Sequence, residues 1–338
     1  MTVRLLQIEP TTRCNFTCGF CAGRHLDQSD LPLATFAALL DQLPDVEHLE
    51  LQGEGEPLMH PDFFAMAGRA RARGIEVSTI SNGSFFSTAC IAQILEADIG
   101  SILVSIESAD AQAFRTIRGG SLAGVIRGIR ALVQAKRRAG RRRPHLGFAV
   151  TILADTRDQL APIVDLYNSL GMDGGVLVHF LSEMDVYATG YDAASAGRVL
   201  GSVEQALAWS RGERVLAARG IGSGDSPHFW TVMLSRAERD RGGRGGYQSC
   251  PWLDQGLFVD RNGHLTACPN VKDPARFGWG RVNETDIASV LAQREQARAR
   301  LLAGEIPTAC EGCFIAASVA RRPAVPGPAA RTEKRADD

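Results

Sequence analysis

Six short apolar runs, each followed by a stretch long enough for a helix, fill the first 220 residues and fix the class of fold available to this chain. The runs fall at 5–8, 48–52, 76–80, 102–106, 146–152 and 176–180. Helix-like stretches lie at 33–43, 61–73, 88–96, 122–138 and 157–170, with a last one near 193–219. Strands separated by helices pair in parallel, because a parallel connection needs a crossover of a dozen or more residues. Pro61 suits a first helical turn, and Gly74 and Gly171 suit helix ends. Six such units predict an open, partial (β/α)6 barrel rather than the closed eightfold one.

Cysteine placement is the next constraint. Seven of the eight cysteines fall in two groups. The first is CNFTCGFC, with Cys14, Cys18 and Cys21 spaced C-x3-C-x2-C directly after the first strand. The second is Cys250 and Cys268 around a turn, followed by Cys310 and Cys313 as C-x2-C. No signal-peptide pattern opens the chain and no apolar run nears the ~18 residues of a membrane span, so a cytoplasmic setting without a membrane partner is expected. In that setting grouped cysteines read as metal ligands rather than disulfides. Three thiolates on one loop suit a 4Fe–4S cluster with one open iron; zinc would need a fourth ligand, and the nearest spare is His25. Cys90 is left over and reads as a buried structural thiol.

The remaining signals sit at strand ends. Strand two ends in GEGEPLMHP (53–61), where Gly53 and Gly55 allow close backbone approach and Glu56 can accept from an ammonium. Strand three ends in Ser81-Asn82-Gly83. Strand four ends in VSIES, whose Ser105 and Glu107 lie two residues apart and face the same way. Arg118 follows in TIRGG.

With these motifs in order at successive strand ends, residues 3–181 resemble the radical SAM superfamily, whose signature has this cysteine spacing with an aromatic residue, here Phe20, before the third cysteine. The resemblance implies that the open iron chelates the amino and carboxylate groups of S-adenosylmethionine (SAM). The cluster's electron would then release methionine and a 5′-deoxyadenosyl radical. It further implies SAM contacts at Phe20, Gly53, Gly55, Glu56, Asn82, Ser105, Glu107 and Arg118, and an external electron donor such as flavodoxin or ferredoxin.

Beyond residue 220 the pattern changes. A hairpin is predicted from 257–259 and 264–267 around the turn 260–263, then a helix near 286–303 ahead of the last two cysteines. Four thiolates there suit zinc or a second 4Fe–4S cluster. Behind a radical SAM barrel the arrangement resembles the twitch (SPASM-like) domain, which implies a second, auxiliary 4Fe–4S cluster. The expected organisation is a partial barrel over 1–222, a flexible connector over 223–249 that includes RDRGGRGG at 239–246, a hairpin-plus-helix auxiliary cluster domain over 250–318, and a disordered tail over 319–338.

Substrate groups are less legible. His179 and Glu183, at the end of strand six, are expected to face the cavity, while Asp225, His228 and Trp230 lie between the barrel and the second cysteine group. Twitch-bearing relatives suggest dehydrogenation of a small polar metabolite. Peptide-modifying relatives suggest maturation of a ribosomally made peptide. Many of those carry an N-terminal leader-binding domain, and this chain starts at strand one, which favours the metabolite unless a separate leader-binding protein supplies that function. The run KRRAGRRR (136–143) could suggest a nucleic-acid module, but a net charge of −1 argues against it, and cations at a helix C-terminus are ordinary.

Overall fold

Each apolar run becomes a strand whose alternate residues meet different surroundings. The strands are β1 (Leu5–Ile8), β2 (His48–Leu51), β3 (Glu76–Ser81), β4 (Ser101–Ser105), β5 (His145–Ile152) and β6 (Val176–Phe180). They pair in parallel and in chain order, forming the expected α/β partial barrel. The computed structural model describes residues 2–182, 184, 199–200, 202–221 and 247–321.

On the helix-covered face of the sheet, Leu6, Ile8, Leu49, Leu51, Val77, Val104 and Phe148 join the main apolar core. The residues between them point the other way and are largely polar. Gln7, Glu50, Ser78 and Ser101 stand side by side in register across β1 to β4. That period of two gives the barrel a dry outside and a polar inside.

The helices are α1 (Leu33–Gln42), α2 (Phe63–Ala72), α3 (Thr88–Glu96), α5 (Leu122–Arg138), α6 (Leu160–Leu170) and α7 (Ser202–Ala217). An additional one, α4 (Ala111–Arg118), fills what reads as a loop. Asp110 caps its N-terminus by accepting from the Ala113 N–H at 2.8 Å, and Gly119 ends it at φ +71°. No helix among the described residues is long and apolar enough to cross a membrane.

A small C-terminal region follows, with α8 (Pro251–Gln255), β7 (Gly256–Val259), β8 (Leu265–Thr266), α9 (Pro274–Phe277), α10 (Ile287–Leu302) and α11 (Phe314–Ala320). The hairpin forms as expected, but its first strand also pairs in parallel with β1, from Leu5↔Gly256 to Ile8↔Val259. The sheet therefore has eight strands, and the hairpin covers an edge that the six-strand barrel would leave open. Arg294 of α10 is fully buried and clamps this junction, donating to the carbonyls of Gly256 at 2.9 Å and Thr2 at 3.0 Å. Val319, placed in the tail by the sequence reading, packs instead into a second apolar cluster with Tyr247, Leu253, Leu301 and Ile315, and residues 322–338 lie outside the described residues.

The basic run at 136–143 is also more engaged than a solvated face. Lys136 is buried and pairs with Asp173 at 2.7 Å, and Arg143 reaches Glu76 at 3.0 Å and Asp98 at 3.6 Å. These pairs lie at the strand N-termini, away from the strand ends that carry the motifs, and the exposed ones are each worth about 0–1 kcal/mol.

Inside the barrel, burial lifts the Glu50 carboxyl to a pKa of about 8, against the hydrogen bond from Ser78 Oγ at 2.6 Å. The unfolded value is 4.5, so between the two pH values the folded chain keeps a proton that the unfolded chain releases. The stability from this group is full below pH 4.5, falls as pH rises and is lost above about 8. Glu50→Gln is expected to remove that slope. Thermal melts should show the variant about 3 °C or more above wild type at pH 9 relative to the difference at pH 5. Parallel pH profiles for the two proteins would refute the assignment.

Candidate functional site

The loop between β1 and α1 carries Cys14, Cys18 and Cys21 across the C-terminal ends of the strands. It is held from both sides. The Thr17 N–H donates to the Arg118 carbonyl at 2.9 Å, and the Glu56 N–H donates to the Arg13 carbonyl at 2.8 Å. Phe16 is buried and stacks edge-on against Phe114 at 6.2 Å. A Cβ on Gly120 would fall 2.2 Å from the Phe16 ring, so only glycine admits the loop here.

Each thiol meets a different strand end. At β3, the Asn82 amide stands 3.8 Å from Cys14 Sγ and donates to Asn15 Oδ1 at 2.8 Å. Beyond β4, Arg118 sits 3.8 Å from Cys18 Sγ while its fork grips both oxygens of Glu107, one at 2.7 Å and the other closer. At β2, Cys21 Sγ donates to the Glu54 carbonyl at 3.3 Å and the Glu54 carboxylate at 3.4 Å. Phe20 lies 6.0 Å from the Arg118 guanidinium, ring facing charge.

The other motif residues are engaged within the chain. Glu56 is buried, and its carboxylate accepts from Asn82 N–H at 2.6 Å, Ser81 Oγ at 2.8 Å and Leu58 N–H at 3.2 Å. Burial raises its pKa to about 7 even so. What lies against Gly53 is the Glu9 side chain, and against Gly55 the Thr11 and Arg13 carbonyls, so both glycines let the motif loop pack on the cysteine loop. Ser105 and Glu107 lie at the end of β4, with Ser105 partly buried and Glu107 on Arg118. His179 shares a 2.8 Å hydrogen bond with Thr151 on the inner face; burial and the Arg118 charge pull its pKa down to about 4, leaving the ring neutral. Glu183, Asp225, His228, Trp230 and the run 239–246 lie outside the described residues.

Burial pushes all three thiols of the loop up, Cys21 furthest. Such thiols release their protons readily only when a bound cation stabilises the thiolates, so the donor set fits a thiolate-ligated metal or iron–sulfur group. His25, the spare zinc ligand, is exposed. The second group gathers similarly. Cys250 precedes α8, Cys268 follows β8, Cys310 ends a 3-10 turn and Cys313 precedes α11. Burial lifts Cys268 and Cys310 to about 12, and each of Cys250, Cys268 and Cys310 is raised further by two neighbouring cysteines of the group. Four mutually close thiols in an apolar shell fit a closed four-thiolate site. Among the described residues no three His, Cys, Asp or Glu side chains already stand at coordinating geometry, so both groups are gathered but not closed.

Cys90 is half-buried rather than buried and lies in the first turn of α3, near the strand ends. Burial lifts it to about 11, and the Glu56 charge adds to the effect. Sequence reasoning missed Glu54, Lys272, Glu9 and Arg261, which form ion pairs beside Cys21. Glu54 lay within the Gly/Glu loop, but nothing local marked its partners.

Comparison with known proteins places these observations. Residues 8–167 match the family model described as the Radical SAM superfamily. A tungsten-containing aldehyde ferredoxin oxidoreductase cofactor-modifying protein of Pyrococcus furiosus is 25% identical over 185 residues, which are 53% of this chain and 52% of that protein. The mycofactocin maturase MftC of Mycobacterium ulcerans is 27% identical over 132 residues, 38% of this chain and 36% of that one. The chain thus spans about half the length of the first of these curated relatives and about a third of the second. Among solved structures, SuiB of Streptococcus suis bound to precursor peptide SuiA superposes with a TM-score of 0.67 at 15% identity, over 86% of this chain and 64% of that one. That likeness establishes the shared fold. The matched domain, the motifs at successive strand ends and the common fold together support placing this chain in the radical SAM superfamily.

Proposed function

We propose that the chain is a radical SAM enzyme with two 4Fe–4S clusters. One would be held by Cys14, Cys18 and Cys21, and an auxiliary one by Cys250, Cys268, Cys310 and Cys313 in a twitch-type domain. The observation that carries this reading is that the three loop thiols meet three different strand-end groups, Asn82, Arg118 and Glu54. When bound, the first cluster supplies the electron that splits SAM into methionine and a 5′-deoxyadenosyl radical, which takes hydrogen from carbon. The chain's own residues do the positioning. Asn82 and Arg118 orient the thiols, and Phe20 with the Gly53–Glu56 loop shapes the SAM site. Ser105 and Glu107 offer hydrogen bonds to its ribose, Glu107 by releasing part of its hold on Arg118. His179 is a neutral group on the cavity wall.

The auxiliary cluster offers a route for the substrate radical's electron, which supports net oxidation, and an external donor such as flavodoxin or ferredoxin would reduce the first cluster in the cytoplasm. The polar inner face suits a small polar metabolite. A second reading, a ribosomally made peptide with a separate leader-binding protein, draws support from the likeness to a mycofactocin maturase and from the fold shared with peptide-bound SuiB. The test is anaerobic reconstitution. About eight irons per chain and reductant-dependent 5′-deoxyadenosine are expected. Half that iron with one tightly held zinc would remove the auxiliary cluster, and iron without deoxyadenosine would remove the SAM reading.

A further inference from the structure

Four residues beyond Cys268 the chain turns back toward the barrel and delivers Lys272, 11% of whose side chain is accessible. Its ammonium lies 5.3 Å from the centre of the Phe258 ring in β7 and pairs with Glu54 Oε1 at 2.8 Å. The other Glu54 oxygen accepts a hydrogen bond from the Cys21 thiol at 3.4 Å. Glu54 is itself fixed, since its N–H donates to buried Glu9 Oε1 at 2.8 Å, and Glu9 faces Arg261 at 3.7 Å. A chain of contacts, Cys21 to Glu54 to Lys272, therefore runs from the first cysteine group to the loop that follows Cys268 of the second. Burying a lysine costs several kcal/mol unless its charge is matched, and a simple peg between two segments would be served by an apolar side chain. Glu54 and Glu9 do match it, and against the pull of burial they hold the lysine above its ordinary pKa. Its charge is felt at both Cys21 and Cys268.

We propose that Lys272 is a positioning residue that brings a positive charge, through Glu54, to the Cys21 side of the first cysteine group and thereby sets how readily a cluster held there is reduced. The inference rests on the reading of Cys14, Cys18 and Cys21 as cluster ligands. One-electron reduction adds a negative charge to a thiolate-ligated cluster, and a fixed cation a few ångströms away favours that state. Without Lys272, the Glu54 carboxylate would stand beside Cys21 with less compensation, and reduction would become harder. The lysine also belongs to the C-terminal region, so the charge at the first group depends on that region being docked.

The experiment uses the full chain, reconstituted anaerobically, as wild type, Lys272→Met and Lys272→Arg. Iron content is measured, and the reduced-cluster signal is followed by electron paramagnetic resonance during a redox titration with dithionite. The signal assigned to the first group is the one that Cys14, Cys18 and Cys21 variants lose. Lys272→Met should keep its iron and shift the reduction equilibrium on the order of tenfold toward the oxidised state, about 59 mV for one electron. Lys272→Arg should stay within about threefold of wild type. Glu54→Gln, which removes the opposing charge, should move the equilibrium the other way, and it serves as the test if the methionine variant fails to fold. An unmoved midpoint in Lys272→Met with full iron, an arginine variant displaced as far as the methionine one, or a Glu54→Gln shift in the same direction would overturn the proposal. A wild-type protein with no signal that depends on the three cysteines would instead sink the cluster reading, and this inference with it.

Discussion

Replacing Cys14, Cys18 and Cys21 together with alanine is expected to lower iron from about eight to about four per chain and to abolish 5′-deoxyadenosine formation, leaving the second cluster's signal in place. The separation follows from where the two groups sit. The first lies on one loop over the ends of β2, β3 and β4, while the second is framed by α8, β8 and α11 with its own apolar cluster. Among the described residues, the apolar side chains packed around the second group include none from the loop at 14–21. Iron and absorbance measured beside SAM cleavage decide the matter: deoxyadenosine still produced by the triple variant would refute the assignment, and loss of all iron would mean that the groups do not assemble independently.

Glu107→Ala should destabilise the folded chain by about 3–5 kcal/mol, because it strands a buried guanidinium. Glu107 is 1% and Arg118 8% accessible, and the pair is bidentate. The same substitution should weaken SAM binding by about 1–3 kcal/mol through loss of the carboxylate. Because Arg118 also touches Cys18, the released guanidinium disturbs that thiol, and slower cluster assembly is expected alongside. Urea unfolding of wild type, Glu107→Ala and the double variant Glu107→Ala/Arg118→Ala separates these effects. The double variant should recover part of the loss, since it removes the unpaired charge. A single-variant loss below about 1 kcal/mol would show that the pair is solvated in solution.

The barrel was legible because its signals are local and periodic. The strands end within about a residue of where the apolar runs end, and α3 and α5 match their expected spans. The missed α4 has only eight residues and two buried apolar side chains with Arg118, so its periodicity is short, although Asp110 and Gly119 marked its ends. The cysteine loop and two of its strand-end partners, Asn82 and Arg118, could be read as a set because four motifs occur in order, whereas Glu54 was not singled out. What could not be read is contact between distant segments. The apolar run GLFV reads as half of a hairpin, and nothing in it says that its other edge meets β1. Arg294 looks like any helix-surface arginine until its guanidinium is seen against two carbonyls. Lys272 and Glu54 lie more than two hundred residues apart, and each looks solvent-bound in isolation. Cys90 reads as a buried structural thiol, but it is half-buried in the first turn of the helix after β3, which begins on the motif-bearing side.

The pairing of β1 with β7 bears on how the protein is made. The partners lie roughly 250 residues apart, so β1 waits until some 250 further residues have been synthesised before its second edge is satisfied. Contacts of such separation form late and slow the search for the native state. Until then the nascent barrel exposes Leu5 to Ile8 as an unpaired strand edge, a template for other chains. Overexpression without the C-terminal segment should therefore yield aggregate rather than a smaller soluble barrel, and chaperone demand should be highest just before residues 256–259 emerge.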